Sequence, residues 1–187
     1  MKEIILKNLG GKKVLFFFTL SSSIYFFMVF VTIPYVMKFS GGKKLLDMLP
    51  TGYDPAYVNS LFGVLGQEGR DAYLFNQLPV DMVYPFLFAV SSCLVIGYFL
   101  NKINKFKGFF VYLCFIPIFT AIFDYGENIG IILMLKTYPN NIDLLVKVSS
   151  IFSVLKSFST VSYFLTLTAI LSVFGFHKIS NRYLIKK

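Results

Sequence analysis

Two cysteines and one histidine are all the thiol and imidazole that this 187-residue chain offers to a metal or redox centre. That is too few for a disulfide scaffold and too few for a zinc or iron–sulfur site. Charge is scarce as well, at 14% of residues, against about a quarter in an ordinary soluble domain. No phosphate-binding G-x-x-x-x-G-K-[ST] loop, H-E-x-x-H zinc motif or G-x-S-x-G nucleophile elbow occurs, so no cofactor is implied. What is abundant is apolar: 56% of residues, with 23 Phe and 12 Tyr, which excludes disorder. Lipid is the solvent this composition suits.

A bilayer core about 30 Å thick takes roughly 20 apolar residues in an α-helix. Val14 to Met37 carries no charge over 24 positions, Met82 to Leu100 none over 19, and Ser157 to Phe176 none over 20. A further run, Phe109 to Leu135, is interrupted by Asp124, Glu127 and Asn128. The period-2 alternation of a small barrel is absent, so the expectation is an all-α, four-helix transmembrane bundle. It forms a single integral membrane domain over 1–187, with spans at about 14–37, 80–100, 109–135 and 144–176. A cleaved signal peptide is a poor fit to the N-terminus, because the apolar run is too long and lacks a small-residue cleavage site.

Eleven of the 18 basic residues, but only Glu3 among nine acids, fall before the first span, in the loop 101–107, or after Phe176. Those three segments share a face if there are four spans. The positive-inside rule then puts both termini in the cytoplasm, in a cell membrane. The net charge of +9 is a topology signal. It is no nucleic-acid footprint, since no folded basic surface is available to carry one.

The segment 38–79 is expected outside, as an amphipathic helical cap. Asp54 and Pro55 form an N-cap and first-turn pair, Val58, Leu61, Phe62 and Leu65 follow at helical spacing, and Gly66 is placed to stop the helix. A second short helix is expected around Arg70 to Gln77, ending before Pro79. Ser149, Ser150, Ser153 and Ser157 make a polar stripe suited to hydrogen-bonding with this cap.

Depth arithmetic places Asp124 about 22 Å across from Phe109, with Glu127 and Asn128 near the outer boundary. Lys156 and Asp81 reach the same level on their own spans, and Arg70 is close to Asp81 in sequence. Thr120, Asp124, Glu127 and Asn128 share one stripe of their helix, while Gly126 and Gly130 form a G-x-x-x-G on another side, where a neighbour could approach. Ionisable groups at this depth face a bundle interior. Asp124 and Glu127 are therefore the candidate acid/base or cation-binding pair, with Asn128, Lys156, Arg70, Asp81 and Tyr73 as candidate ligand-orienting groups. Metal binding through nitrogen or sulfur has no support; carboxylate-only binding of a hard cation at Asp124 and Glu127 stays open. Cys93 and Cys114 fall in apolar stretches as small hydrophobes.

Gly66-x-x-Gly69-Arg70-x-x-Tyr73, Asp81-x-x-Tyr84-Pro85 and Asp124-x-x-Glu127-Asn128 together resemble the pattern of a group of small prokaryotic four-span membrane proteins that has no assigned activity. The resemblance covers roughly Pro50 to Leu135 and implies that the polar layer is a site. The function expected is a pocket, opening outward or laterally, that binds or modifies a small amphipathic molecule or lipid. Two alternatives stay open: a non-catalytic assembly subunit that meets a protein partner or a second copy through Gly126 and Gly130, and a proton- or cation-coupled transporter working as an oligomer.

Overall fold

The structure is a computed structural model that describes residues 2–140 and 143–185, with side chains over 3–140 and 143–179. Arg182, Lys186 and Lys187, counted above among the C-terminal basic residues, have side chains outside that range. The fold is 86% helical with no strand among the described residues. Four helices are long and apolar enough to cross a membrane, at Gly11–Met37, Pro55–Lys102, Gly108–Thr137 and Asp143–Ile179. The all-α four-helix bundle is thus the observed architecture, and the chain is a multi-pass membrane protein. In hydrocarbon the backbone must satisfy its own amides, which a helix does within one segment.

A short α1 (Lys2–Lys7) leads into α2 (Gly11–Phe27), a π-helical turn (Met28–Thr32) and α3 (Ile33–Met37), which together make span one. Helix α4 (Pro55–Ala72) passes through a second π-turn (Tyr73–Gln77) into α5 (Leu78–Lys102). Span three starts with a 3-10 stretch (Gly108–Cys114) and continues as α6 (Phe115–Thr137); α7 runs from Asp143 to Ile185. Because a 3-10 helix rises about 2.0 Å per residue, Asp124 stands roughly 25 Å from Phe109, closer to the cap than a pure α-helix would bring it.

The cap keeps the predicted entry and loses the predicted exit. Asp54 accepts a hydrogen bond from the Tyr57 amide at 2.7 Å, as an N-cap should. Gly66 breaks α4 at φ 62° and ψ −173°, a conformation natural to glycine, but the helix resumes at once. Arg70 donates to the Phe62 carbonyl at 2.9 Å, satisfying an acceptor that the break leaves open. The second cap helix does not end before Pro79; it continues into span two. Leu78 bonds back to the Tyr73 carbonyl in a wide turn just ahead of Pro79, and Ile33 bonds back to Met28 just ahead of Pro34. A π-turn gives each proline ring the room that an α-helical carbonyl four residues back would deny it.

Two hydrophobic clusters fill the bundle. One, at the end that gathers Lys7, Lys12, Lys13, Lys102, Lys105 and Lys107, contains Ile5, Leu9, Ile96, Leu100, Cys114 and Ile170. The other, at the cap end, contains Leu45, Leu46, Phe62, Leu78, Ile131 and Val146. Between them lie buried polar residues: Asp81 on α5, Thr120, Asp124, Glu127 and Asn128 on α6, and Ser149, Ser153 and Ser159 on α7.

The cap is pinned to α7 by the predicted serines. Tyr53 donates its amide to Ser150 Oγ at 2.8 Å, its phenol meets Ser149 Oγ at 2.6 Å, and Ser153 donates to the Leu49 carbonyl at 2.9 Å. Burial pushes the Tyr53 phenol above its ordinary pKa, so it stays protonated and able to donate.

The neighbour that approaches Gly126 and Gly130 is the chain's own α7. A β-carbon on Gly126 would come within 2.8 Å of the Phe152 ring, and one on Gly130 would collide with Ser149. That face of α6 is therefore filled within the chain. Gly126→Val and Gly130→Val should each destabilise the bundle by roughly 1–3 kcal/mol, read as a lowered midpoint of unfolding in detergent. Gly175→Ala, where a methyl meets nothing within 4 Å, should not lower that midpoint.

Candidate functional site

The close approach of α6 and α7 brings Lys156 between two acids. Its Nζ lies 3.2 Å from Asp124 Oδ1 and is ion-paired with Glu127 Oε2. Asp124 and Glu127 are three residues apart, so they project from one side of α6 toward the same cation. The Lys156 carbonyl accepts from Ser159 at 3.0 Å and Thr160 at 2.7 Å, and Ser159 accepts from Thr120 at 2.9 Å. These bonds fix the turn of α7 that carries the lysine.

Asp124 and Lys156 also face open space. With Asp47, Asp81, Thr120 and Thr160 they line a cavity of about 350 Å³, completed by Tyr25, Met28, Val29, Ile33, Met48, Tyr84, Phe88 and Phe164. The acids and the lysine occupy its cap-side wall, and aliphatic and aromatic side chains form the rest. Tyr25 on α2 and Phe164 on α7 are exposed and stand at its rim. Span one packs mainly on α5, while α7 packs mainly on α6, so the cavity sits where α2 and α7 face one another with little direct packing. Below it a smaller cavity of about 120 Å³ shares Tyr25, Tyr84, Phe88 and Phe164 and adds Ser21, Ser22, Ser91 and Ser92.

Of the expected site residues, Asp81, Asp124 and Lys156 meet on the cavity wall. Glu127 and Asn128 are fully buried behind it. Asn128 donates to the Asp81 carbonyl at 3.2 Å and so ties α6 to α5. The Ser153 hydroxyl donates to the Leu49 carbonyl, and among the described residues Glu127 Oε1 and Asn128 Oδ1 have no hydrogen-bond partner. Tyr73 is not on the wall either; it donates to Asp47 Oδ1 at 2.8 Å. Arg70 lies away from the layer, bonded to Phe62 and Gln67 and stacked 4.6 Å from the Tyr138 ring. Nearness to Asp81 in sequence fails here because the break at Gly66 leaves the Phe62 carbonyl open, and the guanidinium turns back to it.

Asp47 is the residue that sequence reasoning missed. It belongs to a short 3-10 turn (Leu46–Met48) in the cap, which lays Asp47 and Met48 over the cavity. Gln77 Nε2 reaches Asp47 Oδ2 at 3.3 Å, and Thr32 is hydrogen-bonded to Gln77 Oε1, so both π-turns take part in holding the acid. Its signal was a lone acid inside the run Leu45-Leu46-Asp47-Met48-Leu49. Among the described residues no three His, Cys, Asp or Glu side chains are grouped to hold a metal ion. Compared with known proteins, the chain matches no family model, no curated protein and no solved structure.

Lys156→Met keeps the length of the side chain and removes the charge that two enclosed carboxylates share. Leaving buried acids without their partner costs about 3–5 kcal/mol. The variant should therefore show a strongly lowered unfolding midpoint, or fail to accumulate in membranes.

Proposed function

We propose that the protein binds a small amphipathic molecule or lipid in the 350 Å³ cavity, admitting it from the bilayer between α2 and α7. The observation that carries this reading is the division of one wall from the other. Asp81, Asp124 and Lys156 offer charge to a polar head, and Val29, Ile33, Phe88 and Phe164 offer an apolar lining to a tail. Ligand sites are mainly apolar with a few placed polar groups, and this cavity has that composition at a depth where water cannot compete well. Asp124 is the member of the expected acid pair that reaches the cavity, so contact with the bound molecule narrows to it. Glu127 serves as the anchor that holds Lys156 in place.

The protein sits in the cell membrane with its basic end in the cytoplasm, a reading supported by the concentration of lysines at the end opposite the cap. The cavity then belongs to the outer leaflet. Cysteine introduced at the exposed Thr51 in the cap should label with a membrane-impermeant maleimide in intact cells, while cysteine introduced at the exposed Lys105 should label only after lysis.

Asp124→Asn should reduce retention of a co-purifying amphiphile at least tenfold while the unfolding midpoint stays nearly unchanged, because Lys156 keeps Glu127. Val29→Trp, which fills the cavity from the π-turn of span one, should have the same effect. Retention is measured by mass spectrometry of lipids and small molecules bound to protein extracted from its own membrane. If both variants keep the same bound molecules as the parent, the cavity is not the site.

A further inference from the structure

Resting on that assignment of the cavity, we infer that the head of the bound molecule is an organic cation, an ammonium on an apolar tail, and that Asp81 is its counter-ion. Three carboxylates line the cavity, those of Asp47, Asp81 and Asp124, against one ammonium, Lys156. That lysine is already shared, since Asp124 and Glu127 both take it as partner. Asp47 has a donor at each oxygen, Tyr73 at one and Gln77 at the other. Asp81 differs from all of these. It is 4% exposed, and among the described residues its carboxylate receives no hydrogen bond or ion pair; Asn128 reaches only its backbone carbonyl. An acid taken out of water without a partner either keeps its proton or takes up a cation, because the bare carboxylate is among the most expensive arrangements a membrane protein can hold. The side that faces the cavity is the side from which a partner can come.

The remaining lining says what kind of partner. An anionic head would meet three acids. A hard metal ion needs six or more oxygen ligands at fixed short distances, whereas the lining next to Asp81 is aromatic: Tyr84 and Phe88 follow it on the same stripe of α5, and Tyr25 and Phe164 come from the facing helices. Tyr84 stands between Tyr25 and Phe88, with ring centroids 5.7 and 5.9 Å away. Ring faces attract an alkylammonium and contact its carbon atoms, and a carboxylate beside them completes the recognition. Phe88 lies seven residues along α5 from Asp81, about 10 Å deeper, so an ammonium at Asp81 directs its tail past Phe88 and Phe164 toward the middle of the bilayer.

The test uses the full chain in phosphatidylcholine nanodiscs and three probes with the same twelve-carbon tail: dodecyltrimethylammonium, dodecanol and dodecyl sulfate, each at concentrations that leave the discs intact. Native mass spectrometry reads retention, and the melting midpoint reads stabilisation. The expected order is the ammonium first by about tenfold over the alcohol, with the sulfate last. Asp81→Asn should bring the ammonium down to the level of the alcohol without changing the alcohol, and the exposed Glu68→Gln should change neither. Alcohol or sulfate retained as well as the ammonium, or a preference that survives Asp81→Asn, overturns the inference and leaves the cavity assignment standing. So does displacement of the ammonium by millimolar sodium or magnesium at constant ionic strength, which would make the site one for inorganic cations. Failure of all three probes to bind, or equal binding by Val29→Trp, overturns the cavity assignment itself. Should Asp81→Asn not fold, the order of the probes on the parent chain and its collapse in Tyr84→Leu decide the question.

Discussion

One lysine between two acids divides this bundle into an upper and a lower half. Lys156 joins α7 to α6 through Asp124 and Glu127 at the level where the two hydrophobic clusters stop. The glycines beside those acids let α7 come near enough for the pairing. Helices in lipid gain nothing from burying apolar surface against each other, so packing of small residues and polar links must hold them. Here the same few residues supply both. The polar and packing sides of α6, expected to look in different directions, overlap on the flank turned toward α7, and this is why the glycines are consumed within the chain.

The cavity is a by-product of where that link ends. Lys156 and Asp124 close the layer on the α6 side, while span one offers Met28, Val29 and Ile33. The cap completes the space from above, and its position is set by hydrogen bonds at both ends: Tyr53 and Leu49 on the serines of α7, Asp47 on Tyr73 and Gln77. A segment with that many directional bonds is a fixed part of the wall.

Much of this was legible in the chain. Uncharged runs gave the spans, the N-cap at Asp54 gave the start of α4, and counting residues along the helices brought Asp81, Asp124, Glu127 and Lys156 to one level. What remained hidden depends on departures from ideal helical spacing. The π-turns at Met28–Thr32 and Tyr73–Gln77 have no strong composition signal beyond the proline that follows each. The second carried the cap helix straight into span two, and the break at Gly66 left Arg70 beside Phe62 and Tyr138. Asp47 escaped notice because a single acid in a loop gives no periodicity to read, and only tertiary structure shows that the loop folds back over the layer.

Each π-turn also acts as an inserted residue within an otherwise ordinary helix. Everything after Gln77 is rotated by roughly 100° from the direction that an unbroken α-helical count from α4 would give. A chain one residue shorter at that turn would keep its helix and its hydropathy profile, yet aim the Asp81 carboxylate at a different neighbour. The orientation of this acid is thus encoded by a local surplus of backbone, a property that a helical wheel or a substitution scan passes over and that a single deletion would expose.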